Sequence, residues 1–104
     1  MSKYGNRQAV ASDGKIFPSK RECKRYEELL LLQRIGAISH LETQVRYELI
    51  PKQDGERAVY YIADFVYREG DKIHIEDTKG FRTKEYILKR KLMLHVHGIR
   101  IEEI

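Results

Sequence analysis

Alternating hydrophobic and polar positions predict most of the strands in this chain. Leu, Val and Tyr alternate with Glu, Gln and Arg along residues 38–51, which predicts one core strand. Residues 60–80 predict two further strands joined by a tight turn at residues 69–71, because Tyr, Ile, Val and Phe dominate both arms. Apolar residues at helical spacing follow Pro18 and recur along residues 84–97, which predicts two helices.

The two ends of the chain complete the predicted order of elements. Residues 9–17 surround an Asp-Gly pair that favours a hairpin turn, and residues 99–104 predict a final strand. The order is helix, strand, strand, strand, helix and strand, which favours an α/β fold with a mixed sheet flanked by helices. The second helix should cross over so that the third and last core strands are parallel. We expect one domain, with an arm and a short β-hairpin in residues 1–17 and the core in residues 18–104.

Charged residues interrupt the predicted hairpin of residues 60–80. Asp64 lies within the first arm, and Asp77 and Lys79 end the second. If the faces that carry Ile62 and Ile75 both look inward, these three charges converge at the edge of the core. Such charges are costly to bury unless something compensates for them, and a hard cation such as Mg²⁺ would do so. A salt bridge within a strand-end network is the alternative.

The same residues resemble the active-site motif of the PD-(D/E)XK nuclease superfamily. Asp64 is followed on the next predicted strand by Asp77-Thr78-Lys79, and Ala63 replaces the proline of the motif. Four stretches also resemble a family of short phage and prophage proteins described as endonucleases similar to Holliday junction resolvases. These stretches are residues 17–22, 26–29, 61–65 and 76–81.

This resemblance implies a fold, a cofactor and a set of catalytic residues. The fold would be the restriction-endonuclease-like αβββαβ core. The catalytic residues would be Glu22, Asp64, Asp77 and Lys79. The three acidic residues would bind Mg²⁺ or Mn²⁺, and the lysine would assist an attacking water. Glu76 is an alternative ligand, although strand alternation points it to the opposite face.

Glu22 has a second interpretation that needs no catalysis. Ser19 precedes it by three residues, as in a capping box in which the glutamate reaches back to the helix N-terminus. Glu22 also begins the helical stripe that continues with Tyr26 and Leu29, so it could instead point towards the acidic cluster. Both interpretations remain open at this point. Gln44 falls where nucleases of the resembled superfamily can carry a glutamine near the site, but a polar residue on the solvent side of its strand is the preferred interpretation.

The charge balance favours an anionic partner. The 104 residues include 20 Lys and Arg against 16 Asp and Glu, for a net charge of +4 and a pI near 9.2. Five basic residues are candidates for contacts with nucleic-acid phosphates: Lys20, Arg82, Lys84, Lys89 and Lys91. A solvated charged face is the alternative, and it is the preferred interpretation for the basic residues at the start of the first helix: Lys20, Arg21, Lys24 and Arg25.

The leading hypothesis is a metal-dependent DNA endonuclease. By resemblance it would act on branched DNA such as a Holliday junction, as a homodimer, because symmetrical cleavage needs two active sites. A non-catalytic nucleic-acid-binding or adaptor module is the alternative, and a charge network that only stabilises the fold is a third reading. No apolar run approaches the ~18 residues of a membrane span and no signal peptide is evident. We therefore expect a cytoplasmic protein with no membrane partner, by resemblance a phage or prophage protein in a bacterial host.

Overall fold

The protein is described here by a computed structural model that covers residues 7–78 and 81–104. In chain order, the elements within these ranges are β1 (Ala9–Val10), β2 (Ile16–Phe17), α1 (Lys20–Arg34), β3 (Ser39–Ile50), β4 (Val59–Glu69), β5 (Lys72–Asp77), α2 (Lys84–His97) and β6 (Glu102–Glu103). The predicted α/β class, the αβββαβ order and the preceding hairpin are confirmed. Neither α1 nor α2 has the length and apolar character that a membrane crossing requires.

The main sheet is mixed and has the strand order β3-β4-β5-β6. Strands β3, β4 and β5 pair antiparallel, whereas β6 lies parallel to β5. The parallel pair follows from the crossover through α2, as the sequence predicted. Between β4 and β5, Gly70 has a φ of 60°, which glycine adopts without the steric penalty of a Cβ atom. The parallel register places Asp77, the last residue of β5, beside Glu103 of β6.

The two helices pack on opposite faces of this sheet and form two hydrophobic cores. The α1 core contains Ala11, Phe17, Cys23, Tyr26, Leu29, Ile38, Phe65 and Tyr67. The α2 core contains Leu49, Tyr61, Ala63, Val66, Ile75, Tyr86 and Met93. Adjacent residues of β4, Phe65 and Val66, belong to different cores, as alternate side chains of a strand buried on both faces must. The hairpin of β1 and β2 supplies Ala11 and Phe17, so it shares the α1 core.

The side chains of β4 change face at Asp64. Tyr61 and Ala63 belong to the α2 core, whereas Phe65 belongs to the α1 core. Regular alternation would put all three on the same face. The position opposite Asp64 in β3 is Gln44, whose φ of 53° lies in the left-handed region. A left-handed residue interrupts the pleat as a bulge does, and alternate side chains of β4 pass from the α2 core to the α1 core at this point.

This change of face corrects one part of the sequence interpretation. Ile62 was expected to look inward, but its side chain is 52% exposed. Ile75 is buried, as expected. The inward residues before the change of face are Tyr61 and Ala63 instead. Strand alternation counted from Ile62 therefore fails, because the alternation does not continue unbroken through Asp64.

A buried ion pair joins α1 to β5. Glu76 is 1% exposed and lies on the α1 side of the sheet, as strand alternation predicted. The guanidinium of Arg25 donates to its two oxygens at 2.8 and 2.6 Å, and the hydroxyl of Tyr67 donates a further hydrogen bond. The interpretation of Arg25 as part of a solvated face is therefore wrong. A carboxylate at this depth requires a cation, because an uncompensated buried charge costs several kcal/mol.

Removal of the carboxylate in Glu76→Ala should destabilise the fold strongly. Arg25 and the Tyr67 hydroxyl both lose their acceptor, so we expect the free energy of unfolding to fall by about 3 kcal/mol. Urea denaturation at neutral pH measures this change. The matched control is Glu28→Ala, because Glu28 is an exposed partner of Arg25 at 3.5 Å; its loss should cost less than about 0.5 kcal/mol. An equal loss of unfolding free energy in the two variants would contradict the assignment of Arg25 and Glu76 as a buried ion pair.

Candidate functional site

Three of the predicted catalytic residues come together at one edge of the sheet. Glu22 lies in the first turn of α1, Asp64 at the change of face in β4, and Asp77 at the end of β5. Burial, and then the negative charges of Asp64 and Asp77, raises the pKa of Glu22 from 4.5 to about 7. The three side chains are therefore close enough to interact electrostatically. Lys79, the fourth predicted catalytic residue, lies outside the described residues.

The side chain of Glu22 points into this cluster and does not cap its helix. The hydroxyl of Ser19 accepts a hydrogen bond from the backbone N–H of Glu22 at 3.1 Å, so the N-cap itself forms as predicted. The Glu22 carboxylate, however, is 7% exposed and has its Oε1 3.2 Å from the hydroxyl of Thr78. Its Oε2 is buried and has no hydrogen-bond partner among the described residues. Of the two interpretations of Glu22, the structure supports the one in which it faces the acidic cluster.

The raised pKa of Glu22 has a chemical consequence. At neutral pH a group with a pKa of about 7 exists in both its acidic and its ionised form. Burial disfavours the charge, Asp64 repels it, and only the hydroxyl of Thr78 acts in the opposite direction among the main causes. Positive charge brought into the cluster would favour the ionised form. The site is thus able to hold a proton or to respond to a cation.

Asp64 is held in place by Thr78. Its Oδ2 accepts hydrogen bonds from the backbone N–H and the hydroxyl of Thr78, both at 2.8 Å. Gln44 Nε2 lies 3.4 Å from Asp64 Oδ1, a long contact, so the glutamine faces the site although its side chain is exposed.

Asp77 is held by a tyrosine that the sequence analysis did not single out. Asp77 is 1% exposed, and the hydroxyl of Tyr61 donates to its Oδ2 at 2.6 Å. Burial, and then this hydrogen bond, raises the pKa of Tyr61 well above its usual value, so the hydroxyl stays protonated. Counting the inward face from Ile62 hid this contact, because Tyr61 then appeared to look outward.

A cleft of about 420 Å³ gives access to the acidic cluster. The hairpin side of the cleft consists of residues 15–18. Thr43 and Gln44 of β3 line the opposite side, and Glu22 and Asp64 contribute their carboxyl groups. Two of the three acidic residues therefore face a space large enough for a small ligand.

The arrangement is not a preassembled metal site. Within residues 7–78 and 81–104, no group of three or more His, Cys, Asp or Glu side chains could hold a metal ion as they stand. The chemistry of the donors nevertheless fits a hard cation, because carboxylate oxygens are the ligands that Mg²⁺ prefers in proteins. Glu22 Oε2, buried without a hydrogen-bond partner in the described part of the chain, is one such oxygen. Binding of a cation would require these side chains to adjust.

The five basic residues predicted to contact phosphates form two groups. The first group is exposed and forms no ion pair with the described residues: Lys20, Lys84 and Lys91. In the second group, Arg82 Nε donates to Glu103 at 2.8 Å, and Lys89 Nζ lies 3.4 Å from Glu85. The first group therefore offers charges to an anionic partner at less cost, because no ion pair with the described residues must be broken.

The pKa of Glu22 predicts a pH-dependent stability difference between the wild type and Glu22→Gln. In the unfolded chain this acid loses its proton near pH 4.5, but in the folded protein it does so at about 7. Folding therefore favours the protonated acid, and this contribution is complete below pH 4.5 and is lost as the pH rises through 7. Relative to Glu22→Gln, the wild type should lose about 3 kcal/mol of unfolding free energy over that window.

Urea denaturation in EDTA at several pH values would measure this difference. Glu28→Gln is the control, because Glu28 is exposed, and this variant should follow the wild type at every pH. If Glu22→Gln also ran parallel to the wild type, the pKa of Glu22 would be normal and the acidic cluster would not interact as described.

Comparison with known protein families gives a match over residues 1–102, to a family described as "Protein of unknown function (DUF1064)". The match includes the acidic cluster, both helices and the N-terminal hairpin. The chain has no match among curated proteins or solved structures. Because the matched residues span nearly all of its 104 positions, the chain belongs to the DUF1064 family.

Proposed function

We propose that this protein is a metal-dependent endonuclease that hydrolyses phosphodiester bonds in DNA. The proposal rests on one observation above all: the buried Glu22 carboxyl group lines an open cleft with Asp64, and one of its oxygens has no hydrogen-bond partner among the described residues. In its protonated form Glu22 can share a hydrogen bond with Asp64, but in its ionised form that oxygen accepts no hydrogen bond from the described residues and is suited to a cation. The resemblance of Asp64 and Asp77-Thr78-Lys79 to the PD-(D/E)XK motif adds to the argument.

The cofactor in this proposal is Mg²⁺, or Mn²⁺ in its place. Glu22, Asp64 and Asp77 would hold it through their carboxylate oxygens, after the adjustment described above. Such an ion supplies Lewis-acid chemistry: it lowers the pKa of a water and offsets the charge that develops on the phosphate.

The residues of the chain would orient the reacting groups. Thr78 fixes the Asp64 carboxylate with two hydrogen bonds, and Tyr61 fixes that of Asp77 with one. Hydrogen bonds of this kind orient ligating side chains and influence their affinity for a cation. Lys79 follows Thr78 directly in sequence, and in this proposal its ammonium group orients the attacking water.

The proposed substrate is branched DNA, and this part rests on the resemblance to resolvase-like proteins. Lys20 begins α1 and Lys84 begins α2, so two exposed lysines lie at the starts of the two helices that flank the sheet. Their contacts would be with the phosphate backbone, which carries shape but little sequence information. We propose a homodimer, since two cuts in a symmetrical junction need two active sites. The proposed setting is the cytoplasm of a bacterial host, with the protein encoded by a phage or prophage.

A non-catalytic nucleic-acid-binding module is the second candidate function. It is favoured by the absence of a preassembled metal-ligating group in the described ranges. The hydrogen bonds of Asp64 to Thr78 also satisfy one of its oxygens without a cation. In this case the acidic cluster would remain only as part of the fold, while the exposed lysines bind nucleic acid.

Cleavage assays with site variants test the proposed activity. The substrates are a four-way junction, a linear duplex and a single strand, each with Mg²⁺, Mn²⁺ or EDTA. We expect metal-dependent cutting by the wild type and at least a ~100-fold lower rate for Asp64→Asn and Asp77→Asn, because each substitution removes a charged oxygen ligand. Asp71→Asn, in the exposed β4–β5 turn, is the matched control and should cut normally. Absence of cutting on all three substrates would rule out the nuclease proposal.

Metal binding is testable without any substrate. An ion that binds only the folded protein raises the free energy of unfolding by about 1.4 kcal/mol at ten times its dissociation constant. Mg²⁺ or Mn²⁺ should therefore stabilise the wild type against urea, and Asp64→Asn should abolish the effect. DNA binding without any stabilisation by either ion would favour the non-catalytic module.

A further inference from the structure

We propose that the N-terminal hairpin is a phosphate-binding element that presents Lys15 to a nucleic-acid backbone in the acidic cleft. The ligand is a phosphodiester group of the strand that enters the cleft. The choice of nucleic acid as the substrate rests on the proposed function. The hairpin lies outside residues 18–104, which form the predicted core. The sequence analysis placed the site within that core and assigned no role to Lys15.

The turn of the hairpin is attached to α1 by side-chain hydrogen bonds. Tyr26 donates its hydroxyl proton to Asp13 Oδ2 at 2.5 Å. The backbone N–H and the hydroxyl of Ser12 donate to the two carboxylate oxygens of Glu27 at 2.6 and 2.9 Å. Because α1 also carries Glu22, these bonds fix the turn relative to the acidic cluster.

The same turn determines the position of Lys15. Its backbone N–H donates to Asp13 Oδ1 at 3.0 Å, which anchors it within the turn. Its ammonium group donates to the hydroxyl of Thr43 in β3 at 3.1 Å and lies 5.7 Å from the centre of the Tyr26 ring. The side chain therefore extends from the hairpin to the opposite side of the cleft.

The charge of Lys15 is available to a ligand. Its side chain interacts with the charge of Asp13 but forms no ion pair with any described residue, and the oxygen that it contacts belongs to the neutral hydroxyl of Thr43. An ammonium group has three protons to donate, so two remain for a ligand after this bond. A lysine that served only to neutralise the cluster would be expected to contact Glu22 or Asp64 directly.

The composition of the cleft matches a nucleotide strand. Lys15 is the one cationic side chain among the described residues that line it, and it shares the cleft with Glu22 and Asp64. A phosphate that approaches two carboxyl groups is repelled by them unless a fixed positive charge lies nearby. Ile16, which is 62% exposed, and Pro18 give the hairpin side an apolar surface suited to a sugar ring.

Binding of labelled DNA in EDTA tests this inference separately from cleavage. The probes are a fluorescent four-way junction and a fluorescent duplex, titrated between about 50 and 200 mM salt. Lys15→Gln keeps a polar side chain with a hydrogen-bond donor at this position but removes the charge. We expect it to reduce the slope of log affinity against log salt by about one, and the affinity near 0.1 M salt by about eightfold.

Two further variants make the test specific. Lys15→Arg keeps the positive charge and should restore most of the affinity. Lys72→Gln is the matched control, because Lys72 is an exposed lysine at the opposite end of β5 from Asp77; it should bind like the wild type. In cleavage assays Lys15→Gln should raise KM and leave kcat unchanged, the pattern of a residue that contributes uniform binding.

The outcomes separate this inference from the proposed function. If the wild type cuts DNA but Lys15→Gln matches Lys72→Gln in salt slope and KM, the role of Lys15 is wrong and the nuclease proposal stands. If the wild type binds DNA with a Lys15-dependent salt slope but does not cut, the inference stands and the nuclease proposal is wrong. If the wild type neither binds nor cuts DNA, both are wrong.

Discussion

The cost of burying carboxylates is the constraint on which this fold depends most. Asp77 and Glu76 are each 1% exposed at the end of β5, with side chains on opposite sides of the sheet. Each depends on a tyrosine hydroxyl, and Glu76 also on Arg25. The same kind of bond recurs across the structure, in the pairs Tyr26–Asp13, Tyr61–Asp77, Tyr67–Glu76 and Tyr86–Glu103. Tyrosine suits this role because its ring packs in a core while its hydroxyl donates to the acid.

The change of face at Asp64 moves alternate side chains of β4 from one hydrophobic core to the other. Before Asp64, Tyr61 and Ala63 of β4 belong to the α2 core. After Asp64, the next two alternate residues, Phe65 and Tyr67, belong to the α1 core. At the position where the change of face occurs, neither core requires an apolar side chain. Asp64 occupies that position, where its carboxylate reaches both Thr78 and the cleft. A disruption of regular strand geometry thus creates the place in which a polar group is tolerated.

Helix α1 connects the parts of the candidate site. Its first turn carries Glu22, and its second carries Arg25, which compensates Glu76. Tyr26 and Glu27 then hold the turn of the N-terminal hairpin. One helix therefore positions an acid of the cleft, the ion pair beneath the sheet and the lysine on the cleft wall. A shift of α1 would disturb all three together, so the geometry of the site depends on the packing of this helix.

Local patterns in the sequence determined much of the fold. Turn residues, capping residues and periodicity predicted the αβββαβ order, the hairpin, the parallel last strand and the burial of Ile75. They also identified Glu22, Asp64 and Asp77 as a group, with help from a resemblance to known nucleases. The same patterns predicted the opposite face for Glu76, and the structure agrees. Such features depend on neighbours within a few residues, which is the range that periodicity reports.

Only the tertiary structure decided the rest. Whether Glu22 caps its helix or faces the cluster depended on contacts with Thr78, which is far away in sequence. Ile62 is exposed because its neighbours Tyr61 and Ala63 take the positions in the α2 core, and the partner of Arg25 is an acid in β5. Lys15 gained its position from the hydrogen bonds that hold its turn to α1 and from its own bond to Thr43 in β3. In each case the outcome depends on contacts between residues that are distant in the chain. The local alternation of apolar and polar residues carries no information about such contacts.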